Sequence, residues 1–387
     1  MEIIVPRAVT LAYTGSSPTY LYAAWATSTA YAVNAVVRYQ VGGIYYDYRC
    51  KYAHTSATWS NPGSYSYYWT KISVSATTGG YTYTTNVRLS NSPTWTSGAA
   101  AALNASYFDT ANNHDYVAAV AVTAGENTIR PSEAVRSATE VIAARWVDLG
   151  VSNAWAAMDY LSNSYLEGRD SSSNILDPVF TVKIDTTVSA IDRLFFAGCS
   201  NVKTITCKVY LSGSLSQTIT KSLIITGSAY GLNYRYANIP ITTVAQGATP
   251  TVEVTLTRDV STIAPLLAIV GAGRAFGVGD TEWGVSPSIL SFSRRERDPN
   301  FGTVTFVKRG FAKTLRATCY VDTSLRLGDE VQQILQQGDG MTLFYDFNND
   351  GADYERLRIF GFYTKFDMQI LAASYELLTL DVEGLVE

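Results

Sequence analysis

From residue 152 to about residue 275 the chain repeats one device. Short runs alternate apolar and polar residues and are separated by glycine, serine and asparagine. "VFTVKIDTTV", "TITCKVYLSG" and "PTVEVTLTRD" are three of them. A period of two puts every second side chain on one face of a strand, and turns this frequent let successive strands pair antiparallel. The region is therefore expected to be an antiparallel β-sandwich. The rest of the chain suits the same class. Its 27 tyrosines, with many threonines and serines, favour strands and turns over helices.

Charge narrows the partners. Charged residues make up 16% of the chain, against a usual value of about 25%, and the net charge is -4. That leaves no basic footprint for nucleic acid. The most apolar stretch, "IAPLLAIVGAGRAFGVG", is broken by Arg274 and by glycines, so no membrane span is expected. The start, "MEIIVPRAV", lacks the basic and apolar regions of a signal peptide, which points to synthesis in a reducing cytoplasm. Cys50, Cys199, Cys207 and Cys319 have no zinc spacing. Cys199 and Cys207 lie in strand-like sequence, which leaves a bridge open, with free buried thiols the favoured expectation.

Changes of composition suggest a mainly β, multidomain chain with five segments. These are an N-terminal arm (1–24), a small three-stranded aromatic module (25–74), a second aromatic-rich region (75–151), the antiparallel β-sandwich (152–278) and an α+β C-terminal assembly domain (279–387). The second region reads as a degenerate repeat of the module, because Trp25, Tyr48, Pro62 and Trp69 are echoed by Trp95, Tyr116, Pro131 and Trp146. A first short helix is expected within 125–150. "GAGRAFGVG" (Gly271 to Gly279) reads as a glycine-rich connection between domains, since it has neither phosphate-loop spacing nor a following helix. In the C-terminal unit, "GDEVQQILQQG" predicts a helix. Val331, Ile334 and Leu335 share one face, Asp329 is the N-cap and Gly338 lies past the end. "MTLFYDF" and "ERLRIFGFY" predict a hairpin. The cluster "SRRERD" from Ser293 reads as a solvated face or a subunit contact.

Catalytic candidates are few. His54 and His114 are the two histidines, and neither sits in a metal-binding or nucleophile-elbow motif. No pair of carboxylates facing across a cleft can be assigned. The reading is therefore not an enzyme, with no catalytic residues, no metal and no cofactor. One run needs a calcium test: Asp346, Asn348, Asp350 and Gly351 match the first half of a D-x-N-x-D-G loop. Leu357 stands where the bidentate glutamate belongs and the flanks are strands, so a plain hairpin turn is favoured over a bound cation.

Residues 25 to 72 carry a resemblance. Trp25, Tyr31, the strand "AVVRYQVGGIYYDYRC", Pro62 and Trp69 follow the layout of the small chitin-binding modules of bacterial chitinases and cellulases. The resemblance implies a compact three-stranded module whose core here holds Trp25, Tyr39, Tyr48 and Trp69. It also implies a sugar-stacking pair of aromatics just after the second strand, where an indole or phenol ring meets the apolar face of a pyranose. In "KYAHTS" Tyr52 takes the first of those positions and Ala53 the second, and Asn34 replaces the turn glycine. Tyr52 and Trp59 are the carbohydrate-binding candidates.

Over nearly the whole chain, "RWVDLGVSNAWAAMDY", "PLLAIVGAGRAFGVGDTEWGVS", "SRRERDPNFGTVTFVKRGFAKTLRATCYVD" and "RIFGFYTKFDMQI" resemble tail-tip or baseplate proteins of long-tailed bacteriophages. The resemblance implies a structural protein of the virion tail tip. Its expected partners are other phage tail proteins, itself as a homo-oligomer, and host cell-surface glycan through the module. The alternatives are a non-catalytic part of a chitin- or polysaccharide-degrading enzyme and a bacterial surface adhesin.

Overall fold

The computed structural model describes the chain except for residues 13–18, 21–24, 42–43, 75–76, 79–84, 89, 91, 136–141, 143, 212–213, 226–231, 249, 283, 298–300, 302, 323–326, 349–353, 371–374 and 387. The chain forms two compact units. The larger comprises Met1–Tyr13, Thr84–Val209 and Gln217–Glu387, and the smaller comprises Thr14–Tyr83 with Tyr210–Ser216.

The larger unit opens with β1 (Glu2–Arg7) and β2 (Val9–Ala12). The smaller unit holds β3 (Val36–Val41), β4 (Ile44–Cys50) and β5 (Trp69–Val74), paired in that order. Back in the larger unit, β6 (Ser106–Asp109), β7 (His114–Ala118) and β8 (Trp146–Val151) form a second three-stranded sheet, with the short helix α1 (Pro131–Ala134) between β7 and β8. Then come β9 (Val179–Ile184), β10 (Ile191–Ala197), β11 (Val202–Leu211), β12 (Ser214–Ser222), β13 (Ala237–Val244), β14 (Thr251–Arg258) and β15 (Ile269–Gly277). The C-terminal part adds β16 (Asp280–Thr281), β17 (Ser286–Ser291), β18 (Arg294–Arg297), β19 (Val304–Val307) and β20 (Phe311–Asp322). Helix α2 (Leu327–Gln337) and the strands β21 (Leu343–Asp346), β22 (Arg358–Ile370) and β23 (Tyr375–Val386) complete it.

The protein is mainly β, and its largest element is a curled antiparallel sheet. That ten-stranded sheet runs β13-β10-β15-β1-β21-β22-β23-β20-β16, with β17 also paired to β20. A five-stranded sheet, β12-β11-β14-β9-β2, lies against one part of it. Val182, Ile184, Val252 and Val254 of the smaller sheet meet Leu194, Phe196, Val270 and Ala272 of the larger. Alternation within each strand supplies both inner faces, which is how the sandwich forms.

Two segments differ from their sequence reading. The start of the chain, read as an arm, is β1, a central strand between β15 and β21. Neighbouring residues in a strand point to opposite faces, and Ile3 and Ile4 are both 0% exposed in different cores. Ile3 packs with Val331 and Leu335 of α2 and with Tyr345, Ile359 and Leu378. Ile4 packs with Phe195, Phe344 and Phe360. Burying each contributes about 1.5–3 kcal/mol, and the strand fuses sandwich and C-terminal strands into one sheet across residue 278. Pro6 lies beyond the residues paired to β21, where β1 has one open edge, a position that tolerates the missing N–H.

The glycine run read as a connection is β15. A side chain on Gly271 would overlap the Phe195 ring, and one on Gly273 would overlap the Val5 carbonyl. The glycines are there so that a buried ring and the β1 backbone can approach closely.

Helix α2 begins at Leu327, so Asp329 lies inside its first turn and not at the N-cap, where its charge still favours the positive end of the helix dipole. Val331 and Leu335 are fully buried, on the predicted face. The β21–β22 hairpin pairs Leu343 with Gly361 and Asp346 with Arg358. All four cysteines are free and buried, and burial pushes the Cys199 and Cys207 thiols up to about 12.

The two three-stranded sheets share one framework. Trp25 N–H donates to the Arg38 carbonyl at 2.9 Å, and Trp95 N–H donates to that of Phe108 at 2.8 Å. Asn34 N–H reaches the Cys50 carbonyl and Asn104 N–H that of Ala118, both at 2.8 Å. Cys50 pairs with Trp69 and Ala118 with Trp146, and a register shift falls at Asp47/Tyr48 in one and at Asp115/Tyr116 in the other. Left-handed residues occur at matching places, Ser28 and Asn34 against Gly98 and Asn104. Asparagine tolerates that conformation, which is why Asn34 can stand at a turn usually held by glycine.

The second of these sheets has its own device. Asp109, 0% exposed, accepts hydrogen bonds from Ser132 N–H and Oγ at the start of α1, from Ala111 N–H and from Arg130. Burial pulls its carboxyl up, but these donors outweigh it and hold the acid below the usual aspartate range. A depressed carboxyl stabilises the fold above its unfolded value and loses that contribution as pH falls through the folded one. Asp109→Asn should therefore cost about 1–3 kcal/mol near neutral pH and flatten the loss of stability on the acid side. Denaturant titrations at neutral and acidic pH measure both, and an unchanged acid limb would remove this role from Asp109.

Candidate aromatic binding platform

The site is built by the loop between β4 and β5. Its first half is fixed by Ser60, which is fully buried. The Ser60 hydroxyl accepts from Ala57 N–H at 2.8 Å and donates to the Ala57 carbonyl at 3.0 Å. The Trp69 indole N–H donates to the Ser60 carbonyl at 2.8 Å. These bonds close the 3-10 turn Thr58–Ser60 and turn Trp59 outward. Asn61 continues the turn, accepting from Ser64 N–H at 2.9 Å and donating to the Thr58 carbonyl at 3.0 Å. Gly63 packs directly on Tyr39 and Val41, where a side chain would not fit.

The second half returns beside the end of β4. Lys51 N–H donates to the Tyr68 carbonyl and Lys51 Nζ to the Ser66 carbonyl, both at 2.7 Å. Tyr52 and Tyr67 are thereby stacked, with ring centroids 5.2 Å apart and planes 26° apart. Tyr67 meets Tyr65 edge-on at 6.2 Å, and Tyr65 meets Trp59 edge-on at 5.4 Å. Tyr68 forms the floor beneath them, 5.0 Å from Tyr67 and 5.5 Å from Tyr65, and stacks at 4.0 Å on His54. His54 Nδ1 in turn lies 2.9 Å from the Tyr52 carbonyl. Burial lifts the Cys50 thiol above its ordinary range.

Tyr52 and Trp59, the two sequence candidates, thus lie on one row of rings, joined by Tyr67 and Tyr65. Exposures of 53%, 59%, 37% and 60% along Tyr52, Tyr67, Tyr65 and Trp59 leave all four accessible. Sequence reasoning missed Tyr65 and Tyr67 because the resemblance places the stacking aromatics just after the second strand and gives the later loop tyrosines no role. The available signal was "SYSYYW", in which serines alternate with rings where a core would alternate apolar residues. Trp69 and Tyr48 are buried as expected, with Trp25 and Tyr39 packed half-buried against them.

From residue 52 to residue 68 there is no Asp, Glu, Lys or Arg. Such a surface offers flat apolar faces with phenol hydroxyls at their rims, which suits stacking on neutral rings. Among the described residues of the corresponding loop, 119–145, no such row is formed: Val120 is exposed there, and Glu126 and Arg145 form an ion pair at 3.2 Å.

Other chemistry is sparse. His114 Nδ1 lies 2.9 and 3.0 Å from the Asp148 carboxylate oxygens, and among the described residues no hydroxyl or thiol hydrogen-bonds to that ring. Asp346, the first residue of the cation-like run, points inward. Its side chain is 7% exposed and it accepts from Arg358 Nε at 2.9 Å and from Asn348 Nδ2 at 2.6 Å. Asp350 and Gly351 lie outside the described residues. Among those described, no group of three or more His, Cys, Asp or Glu is gathered to hold a metal, and no helix is long and apolar enough to cross a membrane. A cleft of about 380 Å³ in the larger unit, lined by Tyr236, Ile289, Phe311, Lys313 and Arg356, contains none of the sequence candidates.

No protein-family model matches the chain, and no curated protein or solved structure is detectably similar to it.

Proposed function

We propose that the chain is a structural protein of a bacteriophage tail tip or baseplate whose small unit contacts host-surface glycan. The observation that carries the glycan reading is the row Tyr52–Tyr67–Tyr65–Trp59, four exposed rings on a hydrogen-bonded segment, 52–68, that contains no Asp, Glu, Lys or Arg. Rings ordered before binding lose little conformational freedom on contact, so a weak stacking interaction is not cancelled. The tail-tip setting is supported by the sequence resemblance over the sandwich and C-terminal strands.

Retention of the full-length protein on a glycan array tests the first half. Removing one stacking ring costs about 1.5 kcal/mol, or roughly tenfold in affinity. Tyr67→Ala, Tyr52→Ala and Trp59→Ala should each weaken binding by that factor and leave circular dichroism unchanged. Retention that is indifferent to all three would reduce the unit to a spacer or a protein contact. Mass spectrometry of purified particles, with antibody labelling of the tail tip, tests the second half independently.

A further inference from the structure

The hairpin made by β17 and β20 outruns its sheet. The two strands pair from Ser286 opposite Arg316 to Ser291 opposite Phe311. They then continue as β18 and β19, a two-stranded sheet of their own running to Arg297 opposite Val304. From Ser291 to Arg297 the extension is about 20 Å long at ~3.3 Å per residue. All residues of β17 and β18 are exposed, as are three of the four in β19. Ile289 is 67%, Phe306 72% and Phe301 82% exposed. A ribbon of two short strands is marginal in water by itself, and its aromatics gain nothing from burial while it stands alone.

The arm also differs from the body in charge. Residues 286 to 310 hold five basic residues (Arg294, Arg295, Arg297, Lys308 and Arg309) against two acidic ones, whereas the remaining residues hold 24 basic against 31 acidic. The complementary surface lies at the far end of the same strand. β20 starts at Phe311, the root of the arm, and ends at Asp322, about 36 Å away at ~3.3 Å per residue. There Asp280 pairs with Tyr320 and Asp322 with Tyr375. The first turn of α2 lies against Glu376 and Met368, adding the exposed Glu330. Asp280, Asp322 and Asp367 are exposed, and Tyr320 and Tyr375 are 43% and 40% exposed.

We propose that the basic, aromatic arm docks on the acidic, tyrosine-bearing end of β20 in a second copy of the chain, head to tail. An arm of about 20 Å does not reach a surface about 36 Å along its own strand, so the contact is between chains. Because donor and acceptor surfaces differ, a pair of copies still has one arm and one acceptor end to offer, and repetition gives a ring or an open filament in place of a two-fold dimer. This inference is independent of the glycan reading.

Sedimentation velocity of the full chain tests it. Species larger than dimers are expected at low salt, shrinking as salt rises because exposed charges are screened. Arg294→Glu/Arg295→Glu/Arg297→Glu should give monomer, and so should Asp280→Lys/Asp367→Lys. Mixing the two variants should restore assembly, since the reversed arm then meets the reversed acceptor. Phe306→Ser, on an exposed side chain, should weaken assembly at least tenfold without a charge change. All substituted side chains are exposed, so unfolding midpoints should match the parent. A parent chain that stays monomeric, an assembly that closes at two copies, or a mixture that fails to recover would each overturn the proposal.

Discussion

Arg358→Ala is expected to destabilise the larger unit by about 3–5 kcal/mol, the usual cost of removing one partner from a buried ion pair. Arg358 and Asp346 are 5% and 7% exposed and meet at 2.9 Å. Asp346 Oδ2 also accepts from Asn238 Nδ2 at 3.0 Å, and the same amide donates to Glu2 Oε2 at 3.1 Å. Glu2 is paired in turn with Arg193. The network therefore links side chains from β1, β10, β13, β21 and β22 across the strands that β1 joins. Truncating the arginine leaves the Asp346 carboxylate buried without its counter-charge, and water does not replace it at that depth. The double variant Asp346→Leu/Arg358→Met should lose much less, because an apolar pair needs no solvation. Equilibrium denaturation of both variants measures the contrast. A loss below about 1 kcal/mol for Arg358→Ala would mean the pair behaves as a surface contact.

The same residues explain what was legible in the sequence. Alternation is a strong signal when one face is buried, so the sandwich strands and the Val331/Leu335 face of α2 could be read directly. It fails where a strand is buried on both faces, as with Ile3 and Ile4. There the adjacent apolar pair looks like a short arm, and only the two cores on either side give it meaning. β15 failed for the opposite reason. Its glycines suggest a connection, yet they are set by Phe195 and Val5, which are distant in sequence. Asp346 fits the first position of a cation loop by spacing, which carries no information about which way a carboxylate turns; the plain hairpin turn is the reading the sequence favours. The platform was half readable. Tyr52 followed from its place after β4, whereas Tyr65 and Tyr67 join the row through Lys51 and Asn61, whose hydrogen bonds cannot be inferred from spacing.

Trp69→Ala is expected to unfold the small unit, and its effect on binding should differ in kind from that of the exposed rings. Trp69 is 2% exposed and shares a core with Val37, Tyr48 and Cys50. It packs edge-on to Tyr31 at 5.2 Å and to His54 at 5.3 Å. Truncating a buried tryptophan costs about 3–5 kcal/mol, and a unit of this size has about that much to lose. The indole N–H is also the bond that holds Ser60, and through it the turn carrying Trp59. Glycan retention should vanish together with protection of this unit from proteolysis, whereas Tyr67→Ala should reduce retention and leave protection intact. Trp69→Phe separates packing from the hydrogen bond. It refills most of the volume but leaves the Ser60 carbonyl without its donor, so an intermediate loss of about 1–3 kcal/mol is expected. If Trp69→Ala kept the unit protected while abolishing retention, Trp69 would belong to the binding surface and the division between core and platform drawn here would be wrong.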